Sequence, residues 1–185
     1  MVNLGIQAPG ELKIVFTGTM GAGKTTAIGA ISDSATLSTE APISDGAMGA
    51  KTMTTVGFDY GECLLDEGMT LRLFGTPGQE RFRFMWDILG AGAFGLVVLA
   101  DNTRADPIGD VEQYLRAFAP HVPPRRMVVG VGRLADSPSP PLDAYCERLG
   151  QAGWDVPVIE VDVRRPQDVR LLLSVLVSMA EVEHG

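Results

Sequence analysis

The chain has 185 residues, 45% of them hydrophobic, with a formal charge of −8 and a pI near 4.7. That length holds one α/β core and little else, no apolar run is long enough to span a bilayer, and the acidic balance argues against nucleic acid as a partner. Cys63 and Cys146 show no metal-binding spacing, and residues 1–10 carry neither a basic stretch nor an apolar export core, so a reducing, cytoplasmic setting is expected. Position 2 is not glycine and the chain ends Glu-His-Gly, which offers no lipidation signal.

The first apolar run, residues 12–18, reads as a strand, and it leads directly into Gly18-Thr19-Met20-Gly21-Ala22-Gly23-Lys24-Thr25. This octet matches G-x-x-x-x-G-K-[ST] at every fixed position, and Ala27, Ile28, Ala30 and Ile31 continue it as a helix. In such a loop the glycines let backbone N–H groups turn inward on phosphate oxygens, and the helix beginning near Lys24 adds the positive end of its dipole. Lys24 is expected to reach the β- and γ-phosphates and Thr25 to place its hydroxyl on Mg²⁺, with residues 18–25 and Thr26 lining the phosphates. The pattern predicts a binder of a nucleoside tri- or diphosphate.

Residues 34–54 lack apolar periodicity and are rich in Ser, Thr, Ala and Gly, which predicts a functional loop without secondary structure. Strands are expected at 58–65 and 69–74, joined by Asp66-Glu67-Gly68 as an antiparallel hairpin. Phe82, Met85, Trp86 and Leu89 fall on one helical stripe; further strands are expected at 95–101, 127–131 and 156–163. The proline-rich stretch 137–141 marks a loop entering a helix, and Val169, Leu172, Leu173, Leu176 and Ala180 form the core stripe of the last helix. The alternation predicts one α/β domain over residues 1–185. Its six-stranded, mostly parallel sheet carries helices on both faces, and its ligand sits at the carboxyl ends of the strands.

Two further segments carry a resemblance. Thr54-Thr55-Val56-Gly57-Phe58-Asp59 is similar to the first switch of the Arf branch of small GTPases, and Thr76-Pro77-Gly78-Gln79-Glu80-Arg81-Phe82 is similar to the second switch. With the P-loop these motifs make the chain resemble Ras-superfamily small GTPases over essentially its full length. Their wording is similar to that of the bacterial Ras-like proteins encoded beside roadblock-domain proteins. The resemblance implies a three-layer P-loop GTPase fold, binding of GTP and GDP with Mg²⁺, and a regulatory protein acting on the switches, a roadblock-domain protein among the candidates. It implies that Thr55 caps Mg²⁺, that Gly78 donates its N–H to the γ-phosphate, and that Gln79 orients the attacking water while Lys24 steadies the transferred group. Arg81 and Arg83 could be arginine fingers or ordinary solvated helix residues.

The chain departs from the resembled pattern at three places. Gly75 stands where an aspartate holds Mg²⁺; Asp101, at the end of the next expected strand, is either a substitute or a turn residue. Met20 replaces a glycine and would crowd the γ-phosphate, which favours slow hydrolysis. The base-reading Asn-Lys-x-Asp motif is replaced by Gly132-Arg133-Leu134-Ala135-Asp136. Asp136 could still pair with guanine and Arg133 could cover the purine. In the loop after the last strand, backbone near Val163 could meet the base O6 and Arg164 could cover the ring. Guanine is the expected base and adenine stays open. The expected function is a GTP-binding switch with slow hydrolysis. The alternatives are a nucleotide-binding pseudoGTPase and an ATP-dependent small-molecule kinase, the last without an evident lid insertion.

Overall fold

β1 (Glu11–Gly18) is buried from Lys13 onward, which is why it reads as a continuous apolar run and not as an alternating one. The structure is a computed structural model that describes residues 10–44, 53–65 and 68–181. After β1 come α1 (Lys24–Ile31), β2 (Leu37–Ser44), β3 (Met53–Leu64), β4 (Thr70–Gly75) and α2 (Arg83–Gly90). The chain continues through β5 (Gly95–Asp101), α3 (Pro107–Phe118), β6 (Met127–Gly132), α4 (Leu142–Gln151), β7 (Val158–Glu160) and α5 (Pro166–Glu181).

The strands form one sheet in the order β2-β3-β4-β1-β5-β6-β7. The pairs β4–β1, β1–β5, β5–β6 and β6–β7 are parallel, whereas β2–β3 and β3–β4 are antiparallel. Helices α1 and α5 close one face through Ile28, Ile31, Val169, Leu172 and Leu176. The other face is closed by α2, α3 and α4 through Trp86, Val111, Leu115, Phe118, Tyr145 and Leu149. Because β1 lies between β4 and β5, the chain reverses its direction of travel across the sheet at β1. The crevice at its carboxyl end is the place where such sheets bind ligands.

The expected α/β class and all six expected strands are present, and the stripes of α2 and α5 point into the core. A seventh strand corrects the reading of residues 34–54 as a structureless loop. Residues 37–44 pair in register with β3, from Leu37↔Tyr60 to Ser44↔Met53, so β3 starts at Met53, before the expected residue 58. Backbone pairing along a strand edge supplies the hydrogen bonds that a polar composition hides from any periodicity test. The β3–β4 pair is antiparallel as the hairpin signal required. Its turn residues Asp66 and Glu67, residues 45–52, and the two termini on which the targeting expectations rest lie outside the described residues. Among the described residues no helix is long and apolar enough to cross a membrane.

Candidate functional site

The loop leaving β1 turns through Gly21 (φ 83°) and Gly23 (φ 99°), left-handed positions where a side chain is costly. Gly23 caps α1 with no side-chain capping bond, so the first N–H groups of the helix are left for an anion. Lys24 is buried, and its Nζ donates to the carbonyls of Gly18 (2.8 Å) and Thr19 (2.7 Å). Burial pulls its ammonium down to about 8 against the opposing pull of the Asp59 carboxylate. A bound phosphate would supply the counter-charge this ammonium lacks. Thr25 Oγ1 donates to Asp59 Oδ2 at 2.6 Å.

These groups open into a cavity of about 1060 Å³ lined by residues 20–26, 132–136 and 160–165, together with Gly57, Asp59, Thr76, Pro77, Gly78, Ala100, Asp101 and Asp168. It therefore gathers Met20, Gly21, Ala22, Gly23, Lys24, Thr25, Thr26, Gly78, Arg133, Asp136, Val163 and Arg164 around one space. Gly18 and Thr19 hold Lys24 from behind. Thr55 lies in β3 with its backbone opposite Pro42; its side chain is outside the described part.

The segment after β4 packs onto the P-loop. A Cβ on Gly78 would lie 2.5 Å from Met20 N and 2.9 Å from Lys24 Nζ, so only glycine fits there. Thr76 shares a hydroxyl hydrogen bond of 2.8 Å with Thr17, Trp86 Nε1 donates to Pro77 O at 2.9 Å, and Tyr114 OH donates to Gly78 O at 3.4 Å. Gln79 is not among the cavity residues; its amide donates to Met20 Sδ at 3.6 Å. Arg81 lies over the Phe82 ring at 4.6 Å, and neither it nor Arg83 lines the cavity.

At the far end of the cavity Arg133 has a left-handed backbone, φ 62°, unusual for a residue with a Cβ. Its guanidinium reaches back to Gly21 O (3.0 Å) and to Asp101 Oδ2 (3.2 Å), bracing the P-loop. Asp101 also accepts from Thr103 N and Oγ1, as a turn residue does. Arg164 pairs with Asp162 (2.7 and 2.8 Å), holding that carboxyl down at about 2, and the N–H groups of Asp162, Arg164 and Arg165 already have protein acceptors. Among the described residues no three His, Cys, Asp or Glu cluster as metal ligands.

Sequence reasoning missed two residues. Asp59 was read only as part of a switch-like motif, although a hairpin centred near residue 67 already sets it opposite Gly75. Buried Asn102 donates to Ser137 O (2.6 Å) and Pro140 O (3.0 Å) and accepts from Tyr145 OH (2.6 Å), fixing the loop that carries Arg133 and Asp136. Nothing in the sequence singled it out.

Residues 35–122, less than half of the chain, match the family described as conserved hypothetical ATP binding protein. The Ras-related protein SEC4 of Candida albicans is 25% identical over 71% of this chain and 65% of its own length. The GTP-binding protein ypt1 of Schizosaccharomyces pombe is 34% identical over 44% of this chain and 39% of its own. The Ras-related protein RABA1c of Arabidopsis thaliana is 28% identical over 46% and 41%. Distant homology joins this chain to the Ras-related small GTPases. The matches span less than two thirds of the relatives' own length. At family level they support a P-loop nucleotide-binding protein for a guanine or adenine nucleotide. The ATP-binding match covers neither residues 18–25 nor the loops after β6 and β7.

Proposed function

We propose that the protein is a GTP-binding molecular switch with slow GTP hydrolysis, read by a regulatory protein that acts on the segments around Thr55 and Gly78. The observation that carries this reading is the packing of Gly78 on Met20 and Lys24 inside the phosphate end of the cavity. A γ-phosphate on Lys24 and the present position of Gly78 compete for one place, so triphosphate and diphosphate favour different arrangements of residues 76–79. Lys24 binds the phosphates, the loop N–H groups cradle them, and Gly78 turns its N–H toward the terminal one. Oxygen donors suit Mg²⁺, and Thr25 and Thr55 supply hydroxyls for it; when bound, the ion neutralises charge on the phosphates. Arg133 steadies the loop from behind, while Asp136 and the backbone near Val163 face the base.

A pseudoGTPase is the second reading, and one contact favours it: the Gln79 amide is engaged by the Met20 sulfur and does not line the cavity. Single-turnover phosphate release decides between them. Because phosphoryl transfer rests on positioning and charge, the isolated protein should hydrolyse GTP at roughly 10⁻⁴ to 10⁻² s⁻¹, and Gln79→Leu should abolish any stimulation by a partner. Rapid turnover by the isolated protein would contradict the switch. A complete absence of turnover in the presence of partners would favour the pseudoGTPase. Competition between GTP and ATP reads the base. A carboxylate built to pair with guanine should discriminate by up to about 10⁴-fold, and Asp136→Ala should remove that preference.

A further inference from the structure

We infer that Asp59, reaching across from β3, supplies the Mg²⁺ carboxylate that Gly75 cannot. The inference rests on the nucleotide-binding reading above. Asp59 and Gly75 are directly opposed in the β3–β4 register. A Cβ built on Gly75 would lie 3.1 Å from Asp59 Oδ2, 3.1 Å from Asp59 Cβ and 3.0 Å from the Ile28 Cδ1 methyl. The Asp59 carboxylate therefore fills the space into which a side chain at the end of β4 would project, and glycine at position 75 makes room for it. The same carboxylate oxygen accepts from the Thr25 hydroxyl at 2.6 Å, on the wall of the cavity. A P-loop hydroxyl beside one carboxylate is the protein's share of a Mg²⁺ site of this class, the other ligands being waters and phosphate oxygens. Asp101 does not compete for the role, because its carboxylate is taken by Arg133 and Thr103.

Asp59 belongs to the strand that also carries Thr55 and that pairs with β2. A sliding of β3 against β4 would move this carboxylate away from Thr25, whereas a carboxylate at the end of β4 would stay with the central sheet. Mg²⁺ retention is thereby tied to the β3 register.

The test follows release of methylanthraniloyl-GDP or -ADP, whichever the wild type binds, while Mg²⁺ is titrated and again in EDTA. Asp59→Asn should need about 10- to 100-fold more Mg²⁺ to slow release by half, each protein being measured against its own rate in EDTA. Moving the carboxylate back with Asp59→Gly plus Gly75→Asp should restore the wild-type Mg²⁺ requirement. This swap carries the test alone if Asp59→Asn loses its circular-dichroism spectrum. A wild-type titration for Asp59→Asn, or a swap that restores nothing, overturns the assignment. Lys24→Ala separates the two readings. If it loses nucleotide while Asp59→Asn titrates as wild type, the nucleotide site stands and the Asp59 role falls. If the wild type binds neither nucleotide, both fall.

Discussion

Lys13 and Lys24 are both buried ammonium groups, and only one of them faces the cavity. Lys13 donates to Ala91 O at 2.8 Å and lies 5.2 Å from the centre of the Phe74 ring, an internal tie between β1 and the end of α2. Burial, with Arg72 adding repulsion, pulls it down to about 8 from an ordinary 10.5. A base depressed in the folded state is a cost below its folded pKa, and that cost is relieved as pH rises toward the unfolded value. Between pH 8 and 10.5 the wild type should therefore gain stability relative to Lys13→Met, by up to about 3 kcal/mol. Urea midpoints of the two proteins across that range check this, and a constant difference would contradict it. The distinction between these lysines was legible for Lys24, which stands in a motif. It was not legible for Lys13, whose neighbours Phe74 and Ala91 come from distant parts of the chain.

At the scale of elements, the site depends on how closely β3 crosses α1. A Cβ on Gly61 would lie 2.6 Å from Ser32 Oγ and 2.8 Å from Ile28 Cγ2. Gly61→Ala should therefore cost about 1–3 kcal/mol through overpacking and shift β3 outward. A lowered urea midpoint with unchanged slope is the expected result, and an unchanged midpoint would show that the crossing is loose. β1, β5 and β6 were readable because they are buried on both faces and appear as apolar runs. The P-loop was readable because its glycine spacing is a backbone requirement. β2 was not readable, since Thr, Ser, Pro and Glu on a strand whose one partner among the described residues is β3 leave no periodic signature. The opposition of Asp59 and Gly75 was present in the hairpin arithmetic, but it matters only once a strand pair is known to bring the two ends together.

For the whole molecule, the proposed switch couples phosphate occupancy to the arrangement of residues 76–79, and these are tied to α2 and α3 through Trp86 and Tyr114. Base identity was the part least legible in the sequence. Residues 132–136 depart from the resembled motif, and their positions depend on the Asn102 bracket and on the left-handed backbone of Arg133. The chain has two tryptophans, and Trp154 packs against the same core cluster as Trp86 with its Nε1 unpaired among the described residues, so Trp154→Phe removes the second emitter at little cost. In that background Trp86 alone reports on Pro77 and its neighbour Gly78. The most direct measurement compares Trp86 emission with GDP bound and with a non-hydrolysable GTP analogue bound, each with Mg²⁺. A different emission maximum or intensity for the triphosphate form is predicted, because in the proposed switch Gly78 gives up its place to the γ-phosphate. Identical spectra with both nucleotides demonstrably bound would contradict the switch.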